Sequence, residues 1–180
     1  MKYIIEGVKL SGKTTLADTI LQSSPGSTVI NYRGYTSSSP TPYKLNSAIV
    51  RRMLHLAAFL RLHKTEPFII IRAHLYPFAI AAATGQKVAA SFLTLDKRFY
   101  APDIMLILLT LDEQHYRGRL LKRLQFERAE KEWDRHWYNV ESLQTSYLRH
   151  FEASCLPKMR FDSGTYSTAA ILKALSIPSH

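Results

Sequence analysis

Residues Gly7-Val8-Lys9-Leu10-Ser11-Gly12-Lys13-Thr14 match the pattern G-x-x-x-x-G-K-[ST]. No other stretch of the chain narrows the fold as much. The pattern works only where a strand ends in a tight backbone turn and a helix begins at once. The glycines let the turn aim N–H groups at a phosphate, and the helix start adds partial positive charge. The flanks agree: residues 2–6 are a short apolar strand, and 15–22 read as a helix. Lys13 is expected to reach the β- and γ-phosphates, and the Thr14 hydroxyl to ligate Mg²⁺. Gly7, Ser11, Gly12 and Thr15 complete a cradle for ATP, and Lys9 can contact a further phosphate.

The rest of the chain fits an α/β protein. At 180 residues it is the size of one domain, 1–180. Its 46% hydrophobic and 21% charged composition is ordinary for a globular chain. Strand signals at 28–32, 68–71, 103–110 and 158–161 alternate with helical ones at 45–62, 75–84, 87–99, 113–148 and 165–175. A break in the 113–148 helix is expected near 124–126. The 103–110 run is apolar throughout, as in a parallel sheet covered on both faces. Residues 34–42 are a Ser/Thr/Pro loop. No run reaches the roughly 18 apolar residues of a membrane span, so the expectation is a cytoplasmic chain without a membrane partner. The single cysteine, Cys155, is expected as a reduced thiol packed in a helix.

Charge is unevenly distributed. There are 24 Lys+Arg against 14 Asp+Glu, a formal net charge of +10. Between residues 19 and 95 there is one carboxylate, Glu66, against eight basic residues. Such a surface suits a polyanion, although solvated helix faces can carry the same excess. A second cationic segment, 117–135, holds Arg117, Arg119, Lys122, Arg123, Arg128, Lys131 and Arg135. Arginines of this kind stabilise the charge that develops on a phosphoryl group in transfer. Arg119 and Arg123 are four apart and share a helix face, which makes Arg119, Arg123 and Arg128 the candidate lid residues.

In order along the chain, Ile5-Glu6-Gly7-Val8, Ser11-Gly12-Lys13-Thr14-Thr15, Arg72-Ala73-His74-Leu75-Tyr76, Pro102-Asp103, Leu111-Asp112-Glu113, Phe126-Glu127-Arg128 and Phe161-Asp162-Ser163-Gly164 resemble thymidylate kinases and their deoxynucleotide-kinase relatives. The resemblance spans nearly the whole chain, and only the phosphate loop is individually strong. It implies a nucleoside-monophosphate-kinase-like three-layer sandwich around a parallel sheet of about five strands. It also implies phosphoryl transfer from ATP to a thymidylate-like deoxynucleoside monophosphate. Arg33, Tyr43, Arg51, Arg72, His74 and Tyr76 stand where the acceptor would bind. Such relatives are often dimers, so a homodimer is an open expectation.

Three departures qualify the resemblance. Lys9 stands where the family often has an Asp that accepts a bond from the sugar hydroxyl, and lysine cannot accept it. Arg72-Ala73 replaces the Asp-Arg pair at the third strand end. The second strand ends Asn31-Tyr32-Arg33 without a carboxylate. All three remove negative charge near the acceptor. They raise a second reading, a kinase for hydroxymethylated pyrimidines within DNA, an activity known in one branch resembling this family. There Arg33, Arg51, Arg52 and Arg61 would hold the backbone, and Tyr32, Tyr35, Tyr43, His74 or Tyr76 would stack on a base. Against it, a hydroxyl acceptor gains from a general base, and the second and third strands end without a carboxylate. The conceivable bases are Glu6, which more readily organises the phosphate loop from behind, His74 and Asp96. A third reading is a P-loop nucleic-acid-binding protein whose catalysis is lost. The seven histidines show no metal-ligand spacing.

Overall fold

The computed structural model describes residues 1–32, 42–87, 91–123 and 126–177, with side chains described except at 42–50 and 126–139. The elements run β1 (Lys2–Gly7), α1 (Lys13–Ser23), β2 (Thr28–Asn31), α2 (Pro42–Leu62), β3 (Phe68–Ile71), α3 (Leu75–Ala83), α4 (Phe92–Phe99), β4 (Ile104–Thr110), α5 (Glu113–Arg123), α6 (Phe126–Ala153), β5 (Lys158–Asp162) and α7 (Thr168–Ala174). The five strands form one sheet in the order β2-β3-β1-β4-β5, every neighbouring pair parallel. The expected α/β architecture, a parallel sheet with helices on both faces, is what the chain adopts.

The alternation of side chains along each strand divides the core in two. Ile4, Phe68, Ile70, Leu106 and Leu108 face one way and pack with Leu56, Leu75, Ala79, Tyr147 and Phe151 of α2, α3 and α6. Tyr3, Ile5, Ile69, Ile71, Ile107 and Leu109 face the other way, onto Leu16, Ala17 and Ile20 of α1 and Ile171 and Leu172 of α7. Every residue of β1 is buried, the charged Lys2 and Glu6 included. Burying each large apolar side chain contributes roughly 1.5–3 kcal/mol.

Two local expectations need correcting. Helix α4 begins at Phe92, not at 87, because the Ser91 hydroxyl caps it by accepting the Thr94 N–H at 3.4 Å. Cys155 is exposed and follows the end of α6, so it is not packed inside a helix. Helix α5 ends at Arg123 and α6 begins at Phe126; residues 124–125, where a break is expected, lie outside the described residues.

Central β1 carries the phosphate loop, and its neighbours β3 and β4 bring their own end loops to the same edge. In open α/β sheets, ligands bind outside the carboxyl ends of the strands.

Candidate active site

Backbone geometry explains the glycines of the loop. Gly7 has φ 141°, and a Cβ there would lie 2.3 Å from the Leu109 carbonyl oxygen of β4. Gly12 caps α1 in the left-handed region, with φ 85°. Leu10 also has positive φ, 66°. The Ser11 hydroxyl donates to the Val8 carbonyl at 2.9 Å.

Lys13 is 4% exposed. Its ammonium donates to the Val8 carbonyl and, at 3.1 Å, to Ser11 Oγ. Burial, followed by the nearby Arg72 guanidinium, lowers it to about 7, while Glu6 acts the other way. Thr14 and Thr15 are exposed at the helix start. The Thr14 hydroxyl has no intramolecular hydrogen bond among the described residues. One hydroxyl fits Mg²⁺, which keeps several waters and takes its other ligands from substrate phosphates.

Glu6 shares the parity of Ile4, so it turns toward α3 and α6. It is fully buried. Its Oε1 accepts the Leu75 N–H at 3.1 Å, and Oε2 has no hydrogen-bond partner among the described residues. Burial raises its carboxyl above the usual range, opposed by His74, Arg52, the Leu75 N–H and Lys13. The buried Tyr147 hydroxyl also lacks a hydrogen-bond partner among the described residues, and burial raises it well above the ordinary phenol value.

Arg72 follows β3 with φ 61°, a conformation that costs a non-glycine residue energy and gathers at functional sites. Its N–H donates to the Ile5 carbonyl at 3.0 Å, which ties the strained turn to β1. Its carbonyl accepts from Arg52 at 3.4 Å. Arg52 is 9% exposed and lies over the rings of Tyr32 and Tyr76, at 5.0 and 5.4 Å. Tyr32 donates to or accepts from His55 at 2.6 Å. Lys13, Glu6, Arg52 and Arg72 therefore meet at the carboxyl ends of β1 and β3.

Arg119 is placed differently from a lid residue poised over the γ-phosphate. It donates to the Leu10 carbonyl at 2.7 Å, to Ser163 Oγ at 3.2 Å and to the Ser163 carbonyl. It thus ties α5 to both the phosphate loop and the turn after β5. A cavity of about 470 Å³ lies beside it, lined by Gly12, Thr15 and the 163–168 turn. Arg123 is exposed, and its side chain has no partner among the described residues.

The acceptor candidates separate. Arg72 reaches the site. Arg51 is exposed on α2, whereas its neighbour Arg52 points inward. Tyr76 is buried against Arg52. His74 is overturned as a base platform. It is fully buried, stacked 5.9 Å from Phe92, and its Nε2 bonds Asp96 Oδ1 at 2.7 Å. Asp96 also accepts from the Ser154 hydroxyl at 2.7 Å and the Cys155 N–H at 2.6 Å. Burial works to raise its carboxyl, but the bonds to His74 and Cys155 outweigh it and hold the carboxyl well below the usual range. Arg33 and the side chains of Tyr43 and Arg128 lie outside the described residues. Sequence reasoning missed Tyr147 and the inward turn of Arg52. Helical spacing could have found Arg52, which shares the buried stripe of Met53, Leu56 and Phe59. Among the described residues no group of His, Cys, Asp and Glu could hold a metal, and no helix is long and apolar enough to cross a membrane.

No protein-family model matches the chain, and no curated protein matches its sequence. Solved structures do. The YorR protein of Bacillus subtilis, in complex with phosphorylated GDP, superposes with a TM-score of 0.65 at 15% identity, over 98% of this chain and 94% of that one. Deoxyadenosine kinase from M. mycoides with bound dATP gives 0.58 at 16% identity, over 98% of both chains. The same enzyme with bound dCTP gives 0.52 at 17%, over 98% and 97%. At such identities the likeness is one of fold, and the chain has the fold of P-loop nucleoside and nucleotide kinases.

Proposed function

We propose that the chain is an ATP-dependent phosphotransferase acting on a nucleotide-type acceptor, with a thymidylate-like deoxynucleoside monophosphate as the single best substrate. One observation carries the reading. A buried Lys13 at the start of α1 stands close enough to Arg72 for the guanidinium to add to burial in lowering the lysine's hold on its proton. Two cations so placed on a strand-end phosphate loop are relieved by a phosphate group between them.

The donor would lie on residues 7–15, with its base in the cavity beside Arg119. Arg119 then fits a wall of the base site and a brace of the loop, in place of a lid. The Thr14 hydroxyl would hold Mg²⁺, which supplies charge neutralisation at the donor phosphates. Lys13 would leave the Val8 carbonyl for the β/γ-oxygens. The acceptor oxygen forms a bond to the γ-phosphorus as the β–γ bridging bond breaks, and ADP departs. Arg72 would hold the acceptor phosphate, with Arg52 setting the turn from behind through the Arg72 carbonyl.

A hydroxymethylated pyrimidine in DNA is the second reading. The exposed Arg51, without a partner among the described residues, and the acid-poor 19–95 segment favour it. Transfer of label from γ-labelled ATP, with Mg²⁺, to a pool of deoxynucleoside monophosphates and to DNA with and without hydroxymethylated pyrimidines separates the two. Label in a monophosphate is expected. Label only in DNA would favour the second reading, and ATP binding without transfer to either pool would sink both.

A further inference from the structure

At the opposite end of the sheet, where the strands begin, lies a cavity of about 740 Å³, larger than the one beside the phosphate loop. Its walls include Lys2 and Phe68 at the starts of β1 and β3, Arg61 and Lys64 at the end of α2, and Arg98 and Tyr100 at the end of α4. At ~3.3 Å per residue, β1 holds this cavity roughly 17 Å from Gly7, so it is no part of the nucleotide site.

Its chemistry is lopsided. Four lysine or arginine side chains line it against one carboxylate, Asp103. Asp103 is already bonded to Lys2 Nζ at 2.6 Å, and Lys2 also donates to the Lys64 carbonyl. Nearby Glu66 is taken by His63. Arg61, Lys64 and Arg98 are exposed, and among the described residues their side chains have no hydrogen-bond or ion-pair partner. Cations in the last turns of α2 and α4 do oppose the helix dipoles. That explains the sign at each helix end but not the convergence of both ends on one cavity. The aromatic lining points the same way. Phe68 and Phe99 are buried in its wall, and Tyr100, 55% exposed, stands at its mouth.

We propose that this cavity is a second ligand site, for a phosphorylated nucleobase compound. Arg61, Lys64 and Arg98 hold phosphate, and the Tyr100 ring stacks on a base. Two sources share that chemistry, a single-stranded nucleic acid segment and a free nucleotide.

Fluorescence anisotropy on the full chain tests it with two probes. One is a fluorescein-labelled oligothymidylate about eight nucleotides long, titrated with the phosphate-loop site saturated by ADP. The other is a fluorescent ATP analogue, titrated against the Lys13→Ala chain. The double variant Arg61→Gln/Arg98→Gln should weaken at least one probe about fivefold or more, and Tyr100→Ala should weaken the same probe. Both positions are exposed, so the melting temperature should not move, and Arg61→Lys/Arg98→Lys should retain binding. Loss of the oligonucleotide assigns the site to a strand, and its salt slope should then become shallower by about 1.4. Loss of the ATP analogue alone assigns the site to a free nucleotide. A smaller effect on both probes, or no binding of either, overturns the proposal. Neither arm requires phosphoryl transfer, so the proposal can fail while the proposed activity stands.

Discussion

Arg119 donates to the carbonyl oxygen of Leu10 at 2.7 Å, so α5 grips the phosphate loop directly. The same guanidinium holds Ser163. Arg119→Ala should therefore loosen the loop and the turn after β5 together. We expect the KM for ATP to rise about tenfold, with a smaller fall in kcat, because uniform binding is what is lost. Steady-state kinetics over a range of ATP concentrations checks this. A fall in kcat with KM unmoved would restore Arg119 to a lid acting only in the transition state.

Lys13 predicts a proton signature. Its folded value of about 7 lies below the 10.5 of a free lysine. Between those values the unfolded chain binds the proton and the folded chain does not, so this group's contribution to stability rises with pH across that window. Triphosphate oxygens favour the ammonium. ATP binding near pH 8 should thus take up most of one proton, about 0.9 for a group titrating at 7. Calorimetry in two buffers of different ionisation enthalpy measures the uptake, which Lys13→Ala should abolish.

Glu6 distinguishes the kinds of acceptor. Glu6→Gln keeps an oxygen for the Leu75 N–H and removes the capacity to take a proton. With a monophosphate acceptor no base is needed, and activity should stay within about tenfold of the unaltered chain. With a hydroxyl acceptor a base contributes roughly 10²–10⁴-fold, so a loss of that size would overturn the monophosphate reading. Glu6→Ala strands the buried Leu75 N–H and should cost about 1–3 kcal/mol of stability by denaturant titration.

Asp96 is a structural node. It joins α4 to His74 ahead of α3 and to Ser154 and Cys155 after α6. Asp96→Ala leaves those buried donors unpaired and should destabilise the fold by about 3–5 kcal/mol. Its carboxyl is depressed in the folded chain, so its contribution is present above the ordinary Asp value and is lost as the pH falls through the lower, folded value. Denaturant midpoints from pH 7 into the acid range should fall in the unaltered chain, and that acid loss should shrink in Asp96→Ala.

Local sequence determined the phosphate loop, because its requirement is local. A left-handed Gly12 and a helix starting at Lys13 are set within eight residues, whereas the close approach at Gly7 is to Leu109 of β4. It also determined the alternation of apolar strands and amphipathic helices, since each period reflects what a strand or helix buries. Parity along β1 turned Glu6 inward with Ile4. Helical spacing puts Arg52, not Arg51, on the buried stripe of α2, but only tertiary structure decided what Arg52 meets there, the rings of Tyr32 and Tyr76 from elsewhere in the chain. The same holds for His74, whose partner Asp96 lies 22 residues away. It holds for Arg119, whose acceptors Leu10 and Ser163 lie 109 and 44 residues away. Backbone periodicity records which face of an element is buried. It carries no record of which distant donor or acceptor awaits there, and long-range polar pairing in this chain came only with the folded sheet.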